Sequence, residues 1–172
     1  MTKLHEAFTV VGQSIWIDYI RRSFITSGEL QSLIDAGLRG MTSNPTIFRE
    51  AIGQSDDYDE PLARLVKQHK SGEEIYEALA VEDIQRAADC FLPLYKASDG
   101  LDGYGSLEVN ANLADDTEAT IEEARRLFAM TSRPNIMIKV PATTAGIPAI
   151  ATLIGEGINI NITLLFSLTH YE

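Results

Sequence analysis

The chain has 172 residues, a formal net charge of −11 and a hydrophobic fraction of 45%. This length and hydrophobic content suit one globular domain with a packed core. Because the chain is acidic and contains no cluster of lysine and arginine residues, we expect it to bind neither nucleic acid nor an anionic membrane surface. An anionic substrate would need a locally basic pocket.

The N-terminal residues and the rarer residue types indicate the cellular location and argue against disulfides and metal sites. No stretch approaches the roughly 20 apolar residues of a membrane span, and the polar first residues lack the apolar segment of a secretory signal, so we expect a cytoplasmic protein. Cys90 is the only cysteine, which excludes an internal disulfide. The histidines, His5, His69 and His170, are too scattered to suggest a metal site.

The first 50 residues predict a strand, a helix, a second strand and the start of another helix. The two strands are expected at residues 15–19 and 39–43. Between them, Thr26 and Glu29 form a candidate capping box, and Gly37 is expected to end the helix. Asn44-Pro45 predicts the next helix start, because asparagine caps helices well and proline suits the first helical position.

The middle of the chain has the apolar periodicity of helices. They are expected through Phe48, over residues 62–67, from a capping box at Ser71 and Glu74, and over residues 81–96. Pro93 predicts a kink in the last of these helices, because proline removes a backbone hydrogen bond.

Two further helices and three strands complete the pattern. The strands are expected at residues 104–110, 135–140 and 158–165. Asp116 and Thr117 open the helix after the third strand, and another helix begins near Thr143 and Thr144 with Pro148 in its first turn. This alternation of strands and helices predicts a parallel sheet of the α/β class.

Polar and apolar residues fall on opposite faces of the predicted strands. Successive side chains of a strand point to opposite faces, so Ile136, Ile138 and Val140 oppose Met137 and Lys139. The same sorting applies to the third strand, where Leu107 and Val109 oppose Ser106 and Glu108. A polar face indicates a polar or ligand-filled interior, which favours a (β/α)8 TIM barrel with its site at the C-terminal strand ends.

Lys139 lies in a run, residues 136–141, that is otherwise typical of a buried strand. Lysine is rarely buried without a partner, and a desolvated ammonium loses its proton more easily. A neutral amine is a nucleophile toward carbonyl carbons. The alternative is a lysine that is ion-paired or that reaches water from the strand end.

Six polar residues are expected to converge at the C-terminal strand ends: Asp18, Asn44, Glu108, Lys139, Asn161 and Thr163. One interpretation is a structural polar plug in which Asp18 or Glu108 neutralises Lys139. The other is a Schiff-base aldolase, which needs an amine to attack a ketone and carboxylates to move protons. Since a buried ion pair often costs more in desolvation than it returns, we favour the aldolase.

Four segments resemble the transaldolase family, most strongly its longer bacterial members. They are GMTSNPTIF at residues 40–48, SLEV at 106–109, IKVPAT at 138–143 and NITLLFS at 161–167. Together they cover nearly the whole chain in the order and spacing of that family. The resemblance implies a TIM barrel that uses neither metal nor cofactor and transfers a dihydroxyacetone unit between sugar phosphates in the pentose phosphate pathway.

The resemblance also implies a role for each polar residue. Lys139 matches the Schiff-base lysine, and Asp18 matches the carboxylate that exchanges a proton with the C4 hydroxyl of the donor. Glu108 and Thr163, with a water molecule, match the groups that transfer protons at the carbinolamine. The residues that match hydrogen-bonding partners of the sugar are Asn44, Asn161 and, more weakly, Ser167.

The chain departs from the family in length. An eight-stranded barrel takes roughly 250 residues, so residues 1–172 are expected to form a single incomplete barrel domain, the N-terminal five strand and helix units of a transaldolase. Most phosphate-binding residues of the family lie on later strands. Arg21 and Arg22 could substitute for them, but a solvated helix start is the expected role of both.

Open strand edges invite pairing with another chain, so a homo-oligomer or pairing with the missing barrel portion is expected. Two alternatives to an active transaldolase stay open. One is a folded but inactive fragment or assembly piece. The other is a related sugar-phosphate aldolase that cleaves its substrate without transferring a product.

Overall fold

The computed structural model describes residues 2–172, which contain one parallel sheet of five strands. The strands are β1 (Trp16–Asp18), β2 (Gly40–Thr42), β3 (Tyr104–Glu108), β4 (Ile136–Pro141) and β5 (Ile160–Thr163). Their order in the sheet follows the chain, so β1 and β5 are its edges. All five predicted strands are present, and the predicted α/β fold of TIM-barrel type is confirmed for five of its eight strand positions.

Helices connect the strands and cover one side of the sheet. They are α1 (Lys3–Val11), α2 (Arg22–Thr26), α3 (Glu29–Asp35), α4 (Pro45–Gly53), α5 (Asp59–Lys67), α6 (Gly72–Ala97), α7 (Thr117–Thr131), α8 (Gly146–Gly155) and α9 (Leu168–Tyr171). Two short 3₁₀ turns lie at Asp56–Tyr58 and Ala111–Leu113. Within residues 2–172, no helix combines the length and the apolar character needed to cross a membrane.

Three predicted helix starts are confirmed by their caps. The side chain of Asn44 accepts a hydrogen bond from the Ile47 backbone at the start of α4. Ser71 and Glu74 form the reciprocal capping box of α6, and Asp116 caps α7. Each cap joins residues three positions apart, which is why the sequence reveals them.

The predicted capping box at Thr26 and Glu29 is wrong. Thr26 is the last residue of α2, and its hydroxyl donates to the Arg22 carbonyl one turn earlier. The next helix starts instead after Gly28, whose φ of 88° lies in the left-handed region that glycine adopts easily. A threonine hydroxyl that bonds back to its own helix is not available to cap the following one.

The two helices expected around residues 71–96 form one helix of 26 residues, α6. No glycine or proline interrupts residues 73–92, so nothing stops the helix that the capping box starts. Pro93 lies inside α6 near its C-terminal end.

The sequence did not predict α1, and none of its residues is buried.

The apolar faces of β3 and β4 form the core with the helices, as predicted. Ile136, Ile138 and Val140 of β4 are fully buried. They belong to one cluster that includes Leu107 and Val109 of β3 and apolar residues of α6, among them Ile84, Ala87, Ala88 and Phe91. The opposite face of the sheet, which carries the polar residues, is called the inner face below.

Arg22 is buried, contrary to the solvated helix start expected from the sequence. Its Nε donates to Oδ1 of Asp83 at 2.8 Å, and the Tyr58 hydroxyl donates to Oδ2 of the same carboxylate at 2.7 Å. Asp83 is fully buried, and burial raises the pKa of its carboxyl and of the Tyr58 hydroxyl. The sequence could not reveal this group, because Arg22 and Asp83 lie 61 positions apart.

Arg21 also forms an ion pair, with the carboxylate of Asp57, which lies outside α2 and caps its N-terminus. Oδ2 of Asp57 accepts hydrogen bonds from the Ser23 backbone at 3.0 Å and from Nε of Arg21 at 2.9 Å. Hydrogen bonds from the Ser23 hydroxyl and backbone and from Arg21 lower the pKa of Asp57 to about 2. The 3₁₀ turn thereby supplies the cap that Arg21, at the N-cap position, does not provide.

Asp83→Asn is expected to lower the free energy of unfolding by about 3 kcal/mol, because Arg22 stays buried after losing its closest counter-ion. Urea denaturation followed by circular dichroism measures the change. Glu156→Gln, which breaks an exposed ion pair with Arg125, serves as the control and should shift the midpoint far less. Equal shifts in the two variants would contradict the importance of the buried group.

Asp57→Asn is expected to be most destabilising near neutral pH, by about 1 kcal/mol after allowance for solvent screening. A carboxyl whose folded pKa is lowered to about 2 contributes stability above its unfolded pKa, near ~3.9, and loses that contribution as the pH falls. The difference between wild type and variant should therefore shrink between pH 5 and pH 3 in urea titrations. A difference that is constant over this range would refute the capping role.

Candidate active site

The register of the strands brings four predicted site residues to one level of the sheet. Lys139 of β4 pairs with Glu108 of β3 and with Asn161 of β5. Thr42 of β2 pairs with Ser106, so Asn44, two residues further on, follows β2 at the level of Glu108. Because paired residues of parallel strands point to the same side, the strand residues of this level share the inner face.

The amine of Lys139 lies between a carboxylate and a backbone carbonyl. Nζ is 3.4 Å from Oε2 of Glu108 and donates a hydrogen bond to the Ser43 carbonyl at 3.0 Å. Lys139 is only 9% exposed, whereas Glu108 is half-buried. Of the two carboxylates expected near the amine, Glu108 is the ion-pair partner. In the part of the chain that the structure describes, no ion pair joins Asp18 to Lys139.

Asn161 and Thr163 continue the inner face along β5. Nδ2 of Asn161 donates to the Ser106 hydroxyl at 3.0 Å. Thr163 is half-buried and pairs in register with Pro141, two residues beyond Lys139. Both side chains are therefore on the strand next to the amine, with Asn161 at its level and Thr163 nearer the C-terminal end.

Asp18, Asn44 and Ser167 lie at the rim. Asp18 ends β1, pairs in register with Thr42 and is exposed. The Asn44 side-chain oxygen caps α4, which leaves its amide nitrogen available to a ligand. Ser167 is exposed, follows β5, and its hydroxyl caps the short helix α9 by accepting from the His170 backbone.

Three residues on or next to this face were given no site role by the sequence. Ser43 contributes a main-chain carbonyl, which no residue type reveals. Ser106 is fully buried beside Asn161, and its place in the alternating pattern was the signal that could have identified it. The hydroxyl of Thr42 is buried and has no hydrogen-bond partner among residues 2–172.

Trp16 packs across the N-terminal end of the inner face. A Cβ on Gly40, its register partner in β2, would lie 2.3 Å from the indole ring. Only glycine allows so close an approach. The ring therefore covers the sheet below Asp18 and Thr42, and the polar groups are left at the other end.

The arrangement can support nucleophilic and acid–base chemistry. A carboxylate beside a lysine amine can accept a proton from it, which leaves a neutral nucleophile, and can return that proton later. Within residues 2–172 the structure holds no group of three or more His, Cys, Asp or Glu side chains placed to bind a metal ion.

Comparison with known proteins points to one family. Residues 15–172 match the family described as transaldolase/fructose-6-phosphate aldolase. The chain is 50% identical over 162 residues to a transaldolase of Trichodesmium erythraeum, an overlap of 94% of this chain and 43% of the relative. It is 44% identical over 173 residues to transaldolase 2 of Streptomyces avermitilis (100% and 46%) and 46% identical over 157 residues to a transaldolase of Neisseria gonorrhoeae (91% and 45%). The chain thus spans less than half the length of these relatives.

The ion pair on the inner face can be tested by its effect on stability. Glu108→Gln is expected to lower the free energy of unfolding by about 1–2 kcal/mol, because the buried amine loses its counter-ion. Lys139→Met should lower the free energy of unfolding by less, because it removes the buried positive charge and with it the need for a counter-ion. In the double variant the cost of Glu108→Gln should largely disappear, as urea denaturation of all four proteins would show. Additive losses would mean that the two groups do not interact.

Proposed function

The chain belongs to the transaldolase/fructose-6-phosphate aldolase family, and we propose that it carries the nucleophile and the proton-transfer groups of a transaldolase. The proposed reaction transfers a dihydroxyacetone unit between sugar phosphates of the pentose phosphate pathway. Fructose 6-phosphate or sedoheptulose 7-phosphate is the donor, and glyceraldehyde 3-phosphate or erythrose 4-phosphate is the acceptor. The observation that carries the proposal is the buried Lys139 amine, 3.4 Å from the Glu108 carboxylate on the inner face.

In the proposed first stage, the neutral amine of Lys139 attacks the ketone carbon of the donor. Glu108, which holds the proton that left the Lys139 ammonium, delivers it through a water molecule held with Thr163 to the ketone oxygen, which becomes the carbinolamine hydroxyl. Glu108 then takes a proton from the nitrogen and delivers it by the same water to that hydroxyl. Water leaves and a protonated imine forms. The hydrogen bond from Nζ to the Ser43 carbonyl supports this step, because it fixes the position of the amine before the attack.

In the second stage, Asp18 removes the proton of the C4 hydroxyl as the bond between C3 and C4 breaks. The bond electrons pass into the imine, which becomes an enamine on Lys139, and an aldehyde leaves. The acceptor aldehyde then enters, and the same steps in reverse form the new bond and release the product. The position of Asp18 at the end of β1 supports this role, because the residue is exposed and therefore accessible to a ligand.

No residue of this chain is assigned to phosphate binding. Arg21 and Arg22 are engaged by Asp57 and Asp83, which argues against them as substitutes. Residues 1–172 are proposed to form one domain with five strand and helix units. Met1 lies outside the residues that the structure describes. The cytoplasmic location, the absence of a cofactor and the homo-oligomeric state stay predictions.

Borohydride trapping tests the proposed nucleophile. Incubation of the chain with fructose 6-phosphate and reduction with sodium borohydride should attach a three-carbon adduct to Lys139, located by peptide mass spectrometry. Lys139→Ala should abolish the adduct, and Lys70→Ala, at a lysine on the surface, should not. Glu108→Gln should slow trapping by about 10²-fold or more, as expected for a lost acid–base group. A folded chain that shows no adduct on Lys139 would refute the proposal.

A second candidate function is simple aldol cleavage, because the family description names an aldolase beside transaldolase. The two differ in their need for an acceptor. A transaldolase turns over fructose 6-phosphate only when an acceptor such as erythrose 4-phosphate is supplied, whereas an aldolase releases free dihydroxyacetone without one. Measuring both products with and without the acceptor separates the two functions.

A further inference from the structure

A cavity of about 550 Å³ lies between α4, α5 and α6. Apolar side chains from all three helices line it, among them Ile52 of α4, Leu62 of α5 and Ile75 of α6. Its volume is in the range of sites that bind small organic molecules. None of the predicted site residues lines this cavity, so it is separate from the proposed chemistry on the inner face.

Tyr76 lines the cavity and leaves its hydroxyl unbonded. The ring packs edge-to-face on the buried Phe48 of α4, with 6.2 Å between the ring centroids, and this contact holds the side chain in place. Among residues 2–172 the hydroxyl has no hydrogen-bond partner, and its oxygen is not one of the buried unpaired atoms of this part of the chain. The hydroxyl is therefore a fixed polar group that remains accessible.

The charges around the Tyr76 hydroxyl favour an anion. Arg49, which lines the same cavity, is exposed and forms no ion pair within residues 2–172. Burial raises the pKa of the Tyr76 hydroxyl, whereas Arg49 acts to lower this pKa and Glu108, more weakly, to raise it. A negative group beside the hydroxyl is thus attracted by Arg49 more than it is repelled by Glu108, which does not line the cavity.

The lining also limits the charge of a ligand. Besides Arg49, the charged residue of the lining is Glu73. A dianion such as a phosphate ester would be only half neutralised by Arg49 and would meet the repulsion of Glu73. A carboxylate carries one charge and can accept a pair of parallel hydrogen bonds from a guanidinium group.

We propose that this cavity is a binding site for a small carboxylic acid with an apolar chain, bound as its anion. The carboxylate accepts hydrogen bonds from the Arg49 guanidinium and the Tyr76 hydroxyl. The carbon chain packs among Ile52, Leu62 and Ile75, where it is removed from water. This site makes no use of Lys139 and is independent of the proposed function.

Titration with hexanoate and with hexanamide tests the site, because the two compounds differ in charge and share the same apolar chain. Two-dimensional NMR of the isotope-labelled chain locates the binding and gives a Kd for each compound. We expect the shifts at α4 and at the start of α6, and a Kd for hexanoate about three- to tenfold lower than that for hexanamide, the effect of one partly screened charged hydrogen bond. Acetate, which lacks the apolar chain, should give no saturable shift.

Variants show which groups hold the carboxylate. Arg49→Gln should raise the Kd of hexanoate to that of hexanamide, and Tyr76→Phe, which removes only the hydroxyl, should also weaken hexanoate. Arg64→Gln, at an exposed arginine of α5 that does not line the cavity, serves as the control and should change neither Kd. Equal binding of the two compounds to the unaltered chain, an equal loss in the Arg49 and Arg64 variants, or the absence of saturable shifts at α4 and α6 would overturn the proposed site. None of these outcomes affects the trapping experiment at Lys139, so the two proposals fail separately.

Discussion

The fold depends on the side of the sheet to which each side chain of β4 points. Lys139 lies between two fully buried residues, Ile138 and Val140, and its amine meets Glu108 only because it points to the opposite side of the sheet. A register slip of one residue would drive the charge into the helix-packed core and expose the apolar residues to the polar face. The cost of an unpaired buried charge makes this slip prohibitive. The same constraint that holds the strand in register also delivers the amine to the inner face.

Polar side chains at the opposite end of the strands hold this register. Asp102, just before β3, accepts hydrogen bonds from Ser14 before β1 and from Arg39 before β2. Asn135, just before β4, donates to the carbonyls of Ala88 and Gly103, both at 2.8 Å. Hydrogen bonds thus connect the N-terminal ends of four strands, at the opposite end from Lys139 and Glu108. This division, with stabilising contacts at one end and candidate chemistry at the other, is typical of barrels built from strand and helix units.

The features that could be predicted from the sequence are those that depend on residues close together in the chain. Alternation within a strand identified the inner face, and pairs three residues apart identified the caps at Asn44, Ser71 and Asp116. The sequence-based predictions failed where a structural feature depends on residues that are far apart in the chain. The burial of Arg22 depends on Asp83, 61 positions later, and the Asn161 side chain bonds to a serine 55 positions earlier. The roles of the site residues came from the family resemblance and stay predictions, since geometry alone does not show which proton moves.

Two asparagines of the sheet show how position decides what an amide does. Asn135 is fully buried, and both of its amide hydrogens are used by main-chain carbonyls, so it holds α6 and β3 to β4. Asn161 is half-buried and its amide makes one hydrogen bond, to Ser106. A buried amide gains nothing from a ligand that cannot reach it, whereas a half-buried amide with an unused hydrogen-bonding end exchanges water for a group on the ligand. The Asn135 oxygen also lacks a partner within residues 2–172, but it is buried. Chemistry is therefore favoured where incompletely bonded polar groups are also accessible, beside the amine that the strand register places there.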